Sequence, residues 1–180
     1  NAGVSASAYC QAAGIACHVF LPETIPTPFI DATEEYGADL RLGGRTIAQA
    51  ASKMREEMKK EWFDFSTLKE PFRVEGKKTM GYEIAEQLDW RLPNVVVYPT
   101  GGGTGLIGMW KAFNEMIDLD WLDQKETDRP RMVVVQSDGC APIVKAFDEG
   151  LQENDLWEKS HTGALGLNVP SPLGGAWILK

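Results

Sequence analysis

Hydrophobic and polar residues along the first 70 positions follow a pattern that predicts helices and strands in turn. Small apolar residues at 1–13 predict a closely packed helix, ended by Gly14. Positions 47–62 place apolar residues on one side and charges on the other, which predicts an amphipathic helix capped by Thr46. The pattern predicts strands at 16–21, 38–42 and 63–68, with a further helix that ends near 36. This alternation favours an α/β unit with a parallel sheet.

The polar stretch 69–78 contains Pro71 and Gly76 and interrupts this pattern. Such a change in composition is typical of a domain boundary. We therefore expect two three-layer α/β/α domains, formed by residues 1–70 and 71–180. In the second, the pattern predicts helices at 80–88, from 106 and at 143–149, strands at 94–98 and 132–136, loops at 118–130 and 168–173, and a last element from 176.

The most informative stretch of the chain is the strand, glycine loop and helix that begin at position 94. The β-branched run ends at Pro99, which cannot donate to a strand ladder. The loop that follows contains Gly101, Gly102, Gly103, Thr104 and Gly105. Glycines let a ligand approach the backbone N–H groups, and a helix behind them directs its positive end to the same place. The sequence therefore predicts a phosphate cradle, to which threonine hydroxyls can add donors.

The loop by itself leaves two kinds of ligand open. Gly103, Gly105 and Gly108 also match the G-x-G-x-x-G pattern of dinucleotide-binding proteins. That pattern expects an acidic residue about 20 positions further on, whereas the first acid after a later strand is Asp138. We expect Asp138 to begin a turn. The ligand is either a dinucleotide pyrophosphate or a smaller phosphate-bearing cofactor.

Charge and composition exclude several classes of partner. The formal net charge is −8 and the sequence pI is about 4.8, which argues against nucleic acid or an acidic membrane surface. The chain contains no apolar run long enough for a transmembrane helix and no signal-peptide pattern. Three cysteines and two distant histidines favour a reducing cytoplasm and do not favour a zinc site.

Two loops together resemble those of the fold-type II pyridoxal-phosphate enzymes, the tryptophan synthase beta-like superfamily. The opening Asn1-Ala2-Gly3-Val4-Ser5 is similar to that family's asparagine loop, and 101–105 is similar to its phosphate loop. The stretches 75–79 and 166–172 resemble the threonine synthase branch. The resemblance implies a two-domain fold, pyridoxal 5'-phosphate as the cofactor, and contacts to it from Asn1, Gly101, Gly102, Gly103, Thr104 and Gly105.

For function, the resemblance implies a lyase that converts O-phosphohomoserine and water to threonine and phosphate. It also implies a small-molecule amino-acid substrate and a homodimer for the full-length protein. The alternatives are a threonine/serine dehydratase or another pyridoxal-phosphate amino-acid lyase, a non-catalytic fragment or paralogue, and an NAD-binding dehydrogenase domain.

The chain departs from the family pattern at both ends. The family's Schiff-base lysine precedes the asparagine loop, and its partner for the pyridine nitrogen follows the point that corresponds to Lys180. We therefore expect the chain to be an internal part of an enzyme and, by itself, inactive. Lys77 and Lys78 are interpreted as solvated linker lysines, and no catalytic residue is assigned.

Other side chains receive structural interpretations. Ser5 and Ser7 could bind a substrate carboxylate at a helix N-terminus, but Ser7 is expected to pack or cap. His18 is interpreted as a hydrogen-bonded core residue within a strand. Trp110 is expected on the buried face of the helix that follows the glycine loop.

Overall fold

The computed structural model describes residues 1–122 and 129–180. Within these residues the chain forms two compact units, Asn1–Phe63 and Asp64–Lys180. Both units contain helices and parallel strands, so the predicted α/β class is confirmed. No helix in the described part of the chain combines the length and hydropathy needed to cross a membrane.

The first unit pairs two parallel strands and surrounds them with helices. Its elements are α1 (Ala2–Ala13), β1 (His18–Leu21), α2 (Thr27–Glu35), β2 (Asp39–Leu42) and α3 (Ile47–Glu57). The strands run in register from the pair His18 and Asp39 to the pair Leu21 and Leu42. A Cβ built on Gly3 would lie 2.9 Å from Cγ1 of Val19, so α1 packs on β1 as closely as its small residues predict.

Two predictions for the region around residue 60 are wrong. The helix that begins at Ile47 ends at Glu57, and no strand forms at 63–68. Instead the backbone N–H of Ser66 donates to the Asp64 carboxylate at 2.9 Å, a local bond that competes with strand pairing. A turn follows, in which Leu68 has a φ of 58°. The alternating apolar residues at 63–68 therefore lie in a loop and not in a strand.

The second unit places two helices against one face of a parallel strand pair. Its elements are α4 (Phe72–Gln87), β3 (Val95–Pro99), α5 (Thr104–Asp118), β4 (Arg131–Val135), α6 (Pro142–Asp148), a 3₁₀ turn (Leu165–Leu167) and α7 (Gly175–Ile178). β3 and β4 run in register from Val95 and Arg131 to Pro99 and Val135. The core lies between α4, α5 and the strands, and contains Ala85, Leu92, Met109, Ala112, Phe113, Met116 and Leu122.

Helix α4 begins eight residues earlier than the sequence predicts, at Phe72 instead of Met80. The Glu70 side chain is buried, and its carboxylate accepts hydrogen bonds from the backbone N–H groups of Phe72 (2.5 Å) and Arg73 (3.2 Å). A carboxylate at this position satisfies helix N–H groups and complements the helix dipole. Residues 72–78 are therefore helix and not linker. The division into domains 1–70 and 71–180 stays a prediction.

The interpretation of Trp110 is wrong. Leu106, Met109 and Phe113 form the buried side of α5, and the Trp110 side chain is 40% exposed. The predicted surface loop at 118–130 follows the end of α5 at Asp118, but its residues 123–128 lie outside the described part of the chain. Trp121 is also exposed, with its ring centroid 6.1 Å from that of Tyr82 and 6.2 Å from that of Trp90.

Candidate functional site

The glycine loop starts from a fixed point at the end of β3. The backbone N–H of Thr100 donates to the Val135 carbonyl at 2.9 Å, and its hydroxyl donates to the Tyr98 carbonyl at 2.9 Å. Its own carbonyl accepts from Nε2 of Gln136 at 3.1 Å. Gln136 in turn accepts from the backbone N–H groups of Ile143 (2.9 Å) and Val144 (3.1 Å) at the start of α6. These bonds tie the loop to both strands and to the next helix.

The loop presents a run of unpaired donors. Within the described residues, the backbone N–H groups of 101–106 donate no hydrogen bond, and the first helical bond of α5 runs from Ile107 to the Gly103 carbonyl at 3.0 Å. Gly103 has a φ of 93°, a conformation that favours glycine. Six adjacent unpaired N–H groups at the positive end of a 15-residue helix are a candidate site for an anion.

The glycines are also needed for close packing around this loop. A Cβ at Gly101 would lie 2.7 Å from the Gly166 carbonyl oxygen, and one at Gly103 would lie 2.7 Å from Cδ1 of Ile178. A Cβ at Gly105 would collide with the phenol of Tyr98. Gly102 is the most open position, with Thr67 Cγ2 at 3.7 Å. The loop is thus held from three sides while its N–H groups stay unpaired.

The Thr104 side chain is mostly buried at the first position of α5, and its hydroxyl makes no hydrogen bond with the described residues. It therefore remains available as one more donor beside the N–H groups. The hydroxyl of Thr100 is already committed to Tyr98. Of the two threonines that flank the glycines, only Thr104 can serve an anion.

Asn168 lies in a segment that packs directly on this loop, and the sequence analysis did not single it out. Its Oδ1 is buried and has no hydrogen-bond partner among the described residues. The neighbouring Leu167 Cα and Val169 Cγ2 would lie 3.6 Å and 3.2 Å from a Cβ at Gly101. The sequence predicts a loop at 168–173, and 166–172 resembles known loops, but neither signal distinguishes Asn168 from its neighbours.

Asn1, the other predicted cofactor contact, belongs to the first unit. It precedes α1, but its side chain makes no capping hydrogen bond, and its carbonyl accepts from the Ser5 N–H at 2.9 Å. Ser7 is fully buried and its hydroxyl donates to the Gly3 carbonyl at 2.8 Å, a packing role. Ser5 is exposed. A cofactor contact by Asn1 stays a prediction.

The interpretation of Lys78 as a solvated linker residue is wrong. Lys78 lies within α4, its side chain is 15% exposed, and its Nζ is 2.6 Å from Glu75 Oε2 and 2.7 Å from Glu115 Oε2. These hydrogen bonds, chiefly that to Glu115, raise the pKa of Lys78 above its usual range. A lysine kept as an ammonium is a poor nucleophile. Lys77 is exposed and packs its backbone on Gly108.

His18 is hydrogen-bonded, as predicted, but it is half-buried and not a core residue. Its Nδ1 lies 2.9 Å from Asp39 Oδ2, and its ring stacks on Trp62 with centroids 3.8 Å apart. Hydrogen bonds from Arg41, and then from His18, lower the pKa of Asp39. The contacts among His18, Asp39, Arg41 and Trp62 link β1 to β2 and to the last residues of the first unit.

Asp138 lies in a turn closed by a bridge between Ser137 and Cys140, which agrees with the structural interpretation. Its Oδ1 accepts from the Ser137 hydroxyl at 3.3 Å.

A sequence model of the family described as "Pyridoxal-phosphate dependent enzyme" matches residues 1–179. The chain is 28% identical over 174 residues to a threonine synthase of Methanocaldococcus jannaschii, covering 96% of this chain and 42% of that protein. It is 34% identical over 110 residues to a threonine synthase of Methanosarcina acetivorans, covering 61% of this chain and 26% of that protein. The chain thus spans less than half the length of these relatives.

Solved structures agree on the fold. The structure of maize serine racemase matches with a TM-score of 0.78 and 15% identity, over 98% of this chain and 50% of that one. At this identity the likeness shows the architecture alone.

Proposed function

Because the chain belongs to the pyridoxal-phosphate-dependent enzyme family, we propose that it forms part of a lyase of the threonine synthase type. The observation that carries the proposal is the row of six unpaired N–H groups at 101–106, in a chain whose curated relatives carry the name threonine synthase. The reaction would convert O-phosphohomoserine and water to threonine and phosphate. The chain spans under half of these relatives, so this activity is proposed for the full-length protein.

The residues of the loop fit a phosphate ester. Side chains at Gly101, Gly103 or Gly105 would meet neighbouring atoms, so these three positions must stay free of Cβ atoms. The N–H groups of the loop have no competing acceptor in the described residues. We assign the cofactor phosphate to Gly101, Gly102, Gly103, Thr104 and Gly105. When bound, pyridoxal phosphate supplies an electron sink for charge that develops on an amino-acid substrate.

The chain's own contribution is to bind and orient. The N–H groups and the helix dipole hold the phosphate dianion. The hydrogen bonds of Thr100 fix the start of the loop, so that the N–H groups keep their positions when the phosphate binds. The hydroxyl of Thr104 donates one further hydrogen bond. Asn1 is proposed to contact the cofactor through its amide, and Ser5 is the free hydroxyl at the start of α1 for a substrate carboxylate. No proton transfer is assigned to Lys77 or Lys78.

The dinucleotide alternative loses its support from Gly108. A Cβ there would lie 2.6 Å from Cβ of Lys77 and 2.9 Å from its carbonyl carbon. This glycine is therefore required where α4 crosses α5, and the crossing accounts for it without a pyrophosphate. The family membership favours the smaller phosphate cofactor for the same loop.

A small amino acid as substrate, a homodimer for the full-length protein and a cytoplasmic location complete the proposal. The first follows from the family, whose members act on amino acids. The dimer and the location rest on the resemblance and on the composition described above.

The test uses the full-length protein with added pyridoxal phosphate. We expect release of inorganic phosphate from O-phosphohomoserine, with threonine formed in equal amount. Ammonia release from threonine or serine, measured in parallel, distinguishes the dehydratase alternative. Rapid deamination without phosphate release would overturn the threonine synthase assignment and leave the family unaffected. No binding of pyridoxal phosphate would overturn the proposal of a pyridoxal-phosphate lyase altogether.

A further inference from the structure

One buried acceptor beside the glycine loop has no partner among the described residues. Of their side-chain nitrogen and oxygen atoms that are fully shielded from solvent, only Oδ1 of Asn168 makes no hydrogen bond. A buried carbonyl oxygen without a donor is costly, and most such groups in native proteins are paired with protein, water or ligand. The atom therefore requires a partner that the described residues do not provide.

The backbone holds Asn168 firmly at this place. Its N–H donates to the Leu165 carbonyl at 3.2 Å, and the next N–H, of Val169, donates to the Leu167 carbonyl at 2.8 Å. The Pro170 carbonyl then accepts from the Trp157 N–H at 2.8 Å. The unpaired acceptor is thus part of an ordered turn, which indicates a built feature of the second unit.

The same turn contacts the first glycine of the loop. The Gly166 carbonyl, Leu167 and Val169 all lie within 3.6 Å of the position that a Cβ at Gly101 would take. Asn168 stands between two of these residues. The acceptor and the six N–H donors of 101–106 are therefore neighbours in one region of the fold.

We propose that Asn168 is a ligand-binding residue, whose Oδ1 accepts a hydrogen bond from an O–H or N–H group of the phosphate-bearing ligand held by the glycine loop. This inference rests on the proposed function, since it takes the ligand from it. An ionised phosphate has acceptors to offer and needs donors, which the loop N–H groups supply. The Asn168 oxygen needs a donor. Its partner is consequently on the remainder of the ligand and not on the phosphate.

This division of roles makes a specific demand on the ligand. Inorganic phosphate satisfies the loop and leaves Asn168 unpaired, whereas a phosphate ester that also carries a hydroxyl or a protonated nitrogen satisfies both. Asn168 is therefore expected to contribute to the affinity for the phosphate ester and not to that for inorganic phosphate. Pyridoxal phosphate and inorganic phosphate are the matched probes.

The experiment compares Asn168→Ala with the unmodified full-length protein. Asn94→Ala is the control, because the same change is made at an exposed position ahead of β3. Pyridoxal phosphate binding is measured by equilibrium dialysis, and inorganic phosphate by its competition with that binding. We expect Asn168→Ala to weaken pyridoxal phosphate by about 5- to 10-fold, the effect of one hydrogen bond, and to change inorganic phosphate by less than about 2-fold. Unchanged binding of both ligands, or equal weakening of both, would overturn the proposal.

The two probes also fix the direction of the hydrogen bond, since the oxygen and nitrogen of an amide can be exchanged. If the amide instead donates to the phosphate, Asn168→Ala weakens inorganic phosphate as well, and the acceptor assignment is overturned. The ligand-free thermal midpoint of Asn168→Ala should not fall, because no bond is lost there. A marked fall would identify a structural role.

Failure of this inference differs from failure of the proposed function. If Gly103→Asp abolishes pyridoxal phosphate binding and Asn168→Ala has no effect, the loop holds the ligand and Asn168 does not. If the unmodified protein binds no pyridoxal phosphate, the proposed function fails first.

Discussion

Nζ of Lys78 lies 2.7 Å from Oε2 of Glu115, and this pair joins α4 to the later turns of α5, the helix that follows the glycine loop. Glu115 also accepts from Lys111 at 2.6 Å and from the hydroxyl of Tyr82 at 2.6 Å. One carboxylate therefore collects three donors from two helices. Because α5 directs its N–H groups at the proposed phosphate, the network behind it bears on the site through the helix position.

The network predicts a specific dependence of stability on pH. Hydrogen bonds from Lys111, Lys78 and Tyr82 lower the pKa of Glu115 from its usual 4.5 to about 2. A lowered folded-state pKa means that the ionised form stabilises the fold. That stabilisation is complete above pH about 4.5 and is lost as pH falls towards about 2. Glu115→Gln should cost about 1–2 kcal/mol of unfolding free energy near pH 7, and this difference should shrink between pH 5 and 2.

Urea unfolding of the full-length protein at a series of pH values measures this difference. Glu149→Gln is the control, because Glu149 is exposed and its nearest cation, Lys145, lies 3.9 Å away. A difference between Glu115→Gln and the unmodified protein that stays constant down to pH 2 would contradict the assignment.

The paired state of Lys78 also predicts where the cofactor is not attached. Its two carboxylate partners keep it protonated, so borohydride reduction of the full-length protein with pyridoxal phosphate should label a different lysine. Peptide mapping by mass spectrometry identifies the labelled residue. Lys78→Met should keep the label, because only the network is disturbed. A label on Lys77 or Lys78 would show that a lysine of this chain carries the cofactor.

The loop and its neighbours were predictable because their signals are local. A β-branched run, Pro99 and clustered glycines each determine the backbone conformation at their own positions. The strand, loop and helix therefore form where the sequence predicts them. Gly14, with a φ of 66°, likewise ends α1 as its type predicts.

The errors arose where tertiary contacts decide. Glu70 caps α4 with its side chain, and nothing in a polar stretch with proline and glycine distinguishes such a cap from a linker. Trp110 is apolar at a plausible helical position, but the core beside α5 is already filled by Met109, Phe113 and Met116. Asn168 was missed because an unpaired buried oxygen is visible only once its surroundings are known.

Two glycines inside helices should respond oppositely to alanine. Gly105→Ala would push a methyl group into the Tyr98 phenol at the start of α5 and should lower both stability and pyridoxal phosphate affinity. Gly76 lies in the second turn of α4, and no neighbouring atom lies within 4 Å of a Cβ added there. Gly76→Ala should therefore raise the unfolding free energy by about 0.5–1 kcal/mol, the helix preference of alanine over glycine. Thermal denaturation compares the two, and equal shifts in one direction would contradict this packing.

A carboxylate within the loop should exclude the phosphate. Gly103→Asp places a negative charge among N–H groups that would otherwise bind the anion, so pyridoxal phosphate affinity should fall by more than about 100-fold. Gly150→Asp is the matched control, since Gly150 also has a positive φ, of 69°, and open space around it. Fluorescence titration of both variants measures the affinity. Equal binding by Gly103→Asp and Gly150→Asp would remove the loop from the site.

Limited proteolysis tests the segment between α3 and α4, where the sequence placed a domain boundary. Residues 58–71 have no regular secondary structure and carry the exposed Lys59, Lys60 and Lys69. By contrast, Arg73, Lys77 and Lys78 lie within α4, whose backbone hydrogen bonds must open before a protease can bind. Among the basic residues of 47–87, trypsin should therefore cut first after Lys59, Lys60 or Lys69.

Mass spectrometry of the first fragments locates the cut in the full-length protein. A variant with all three of these lysines changed to glutamine should resist cleavage within 47–87 while keeping the unfolding midpoint, because their loss removes no helix contact. The sequence had placed the hinge at 69–78, and only its first part remains outside α4. First cleavage after Lys77 or Lys78 would mean that α4 opens readily at its start and that the Glu70 cap contributes little. First cleavage inside Ile47–Glu57 would contradict the capped helix α3.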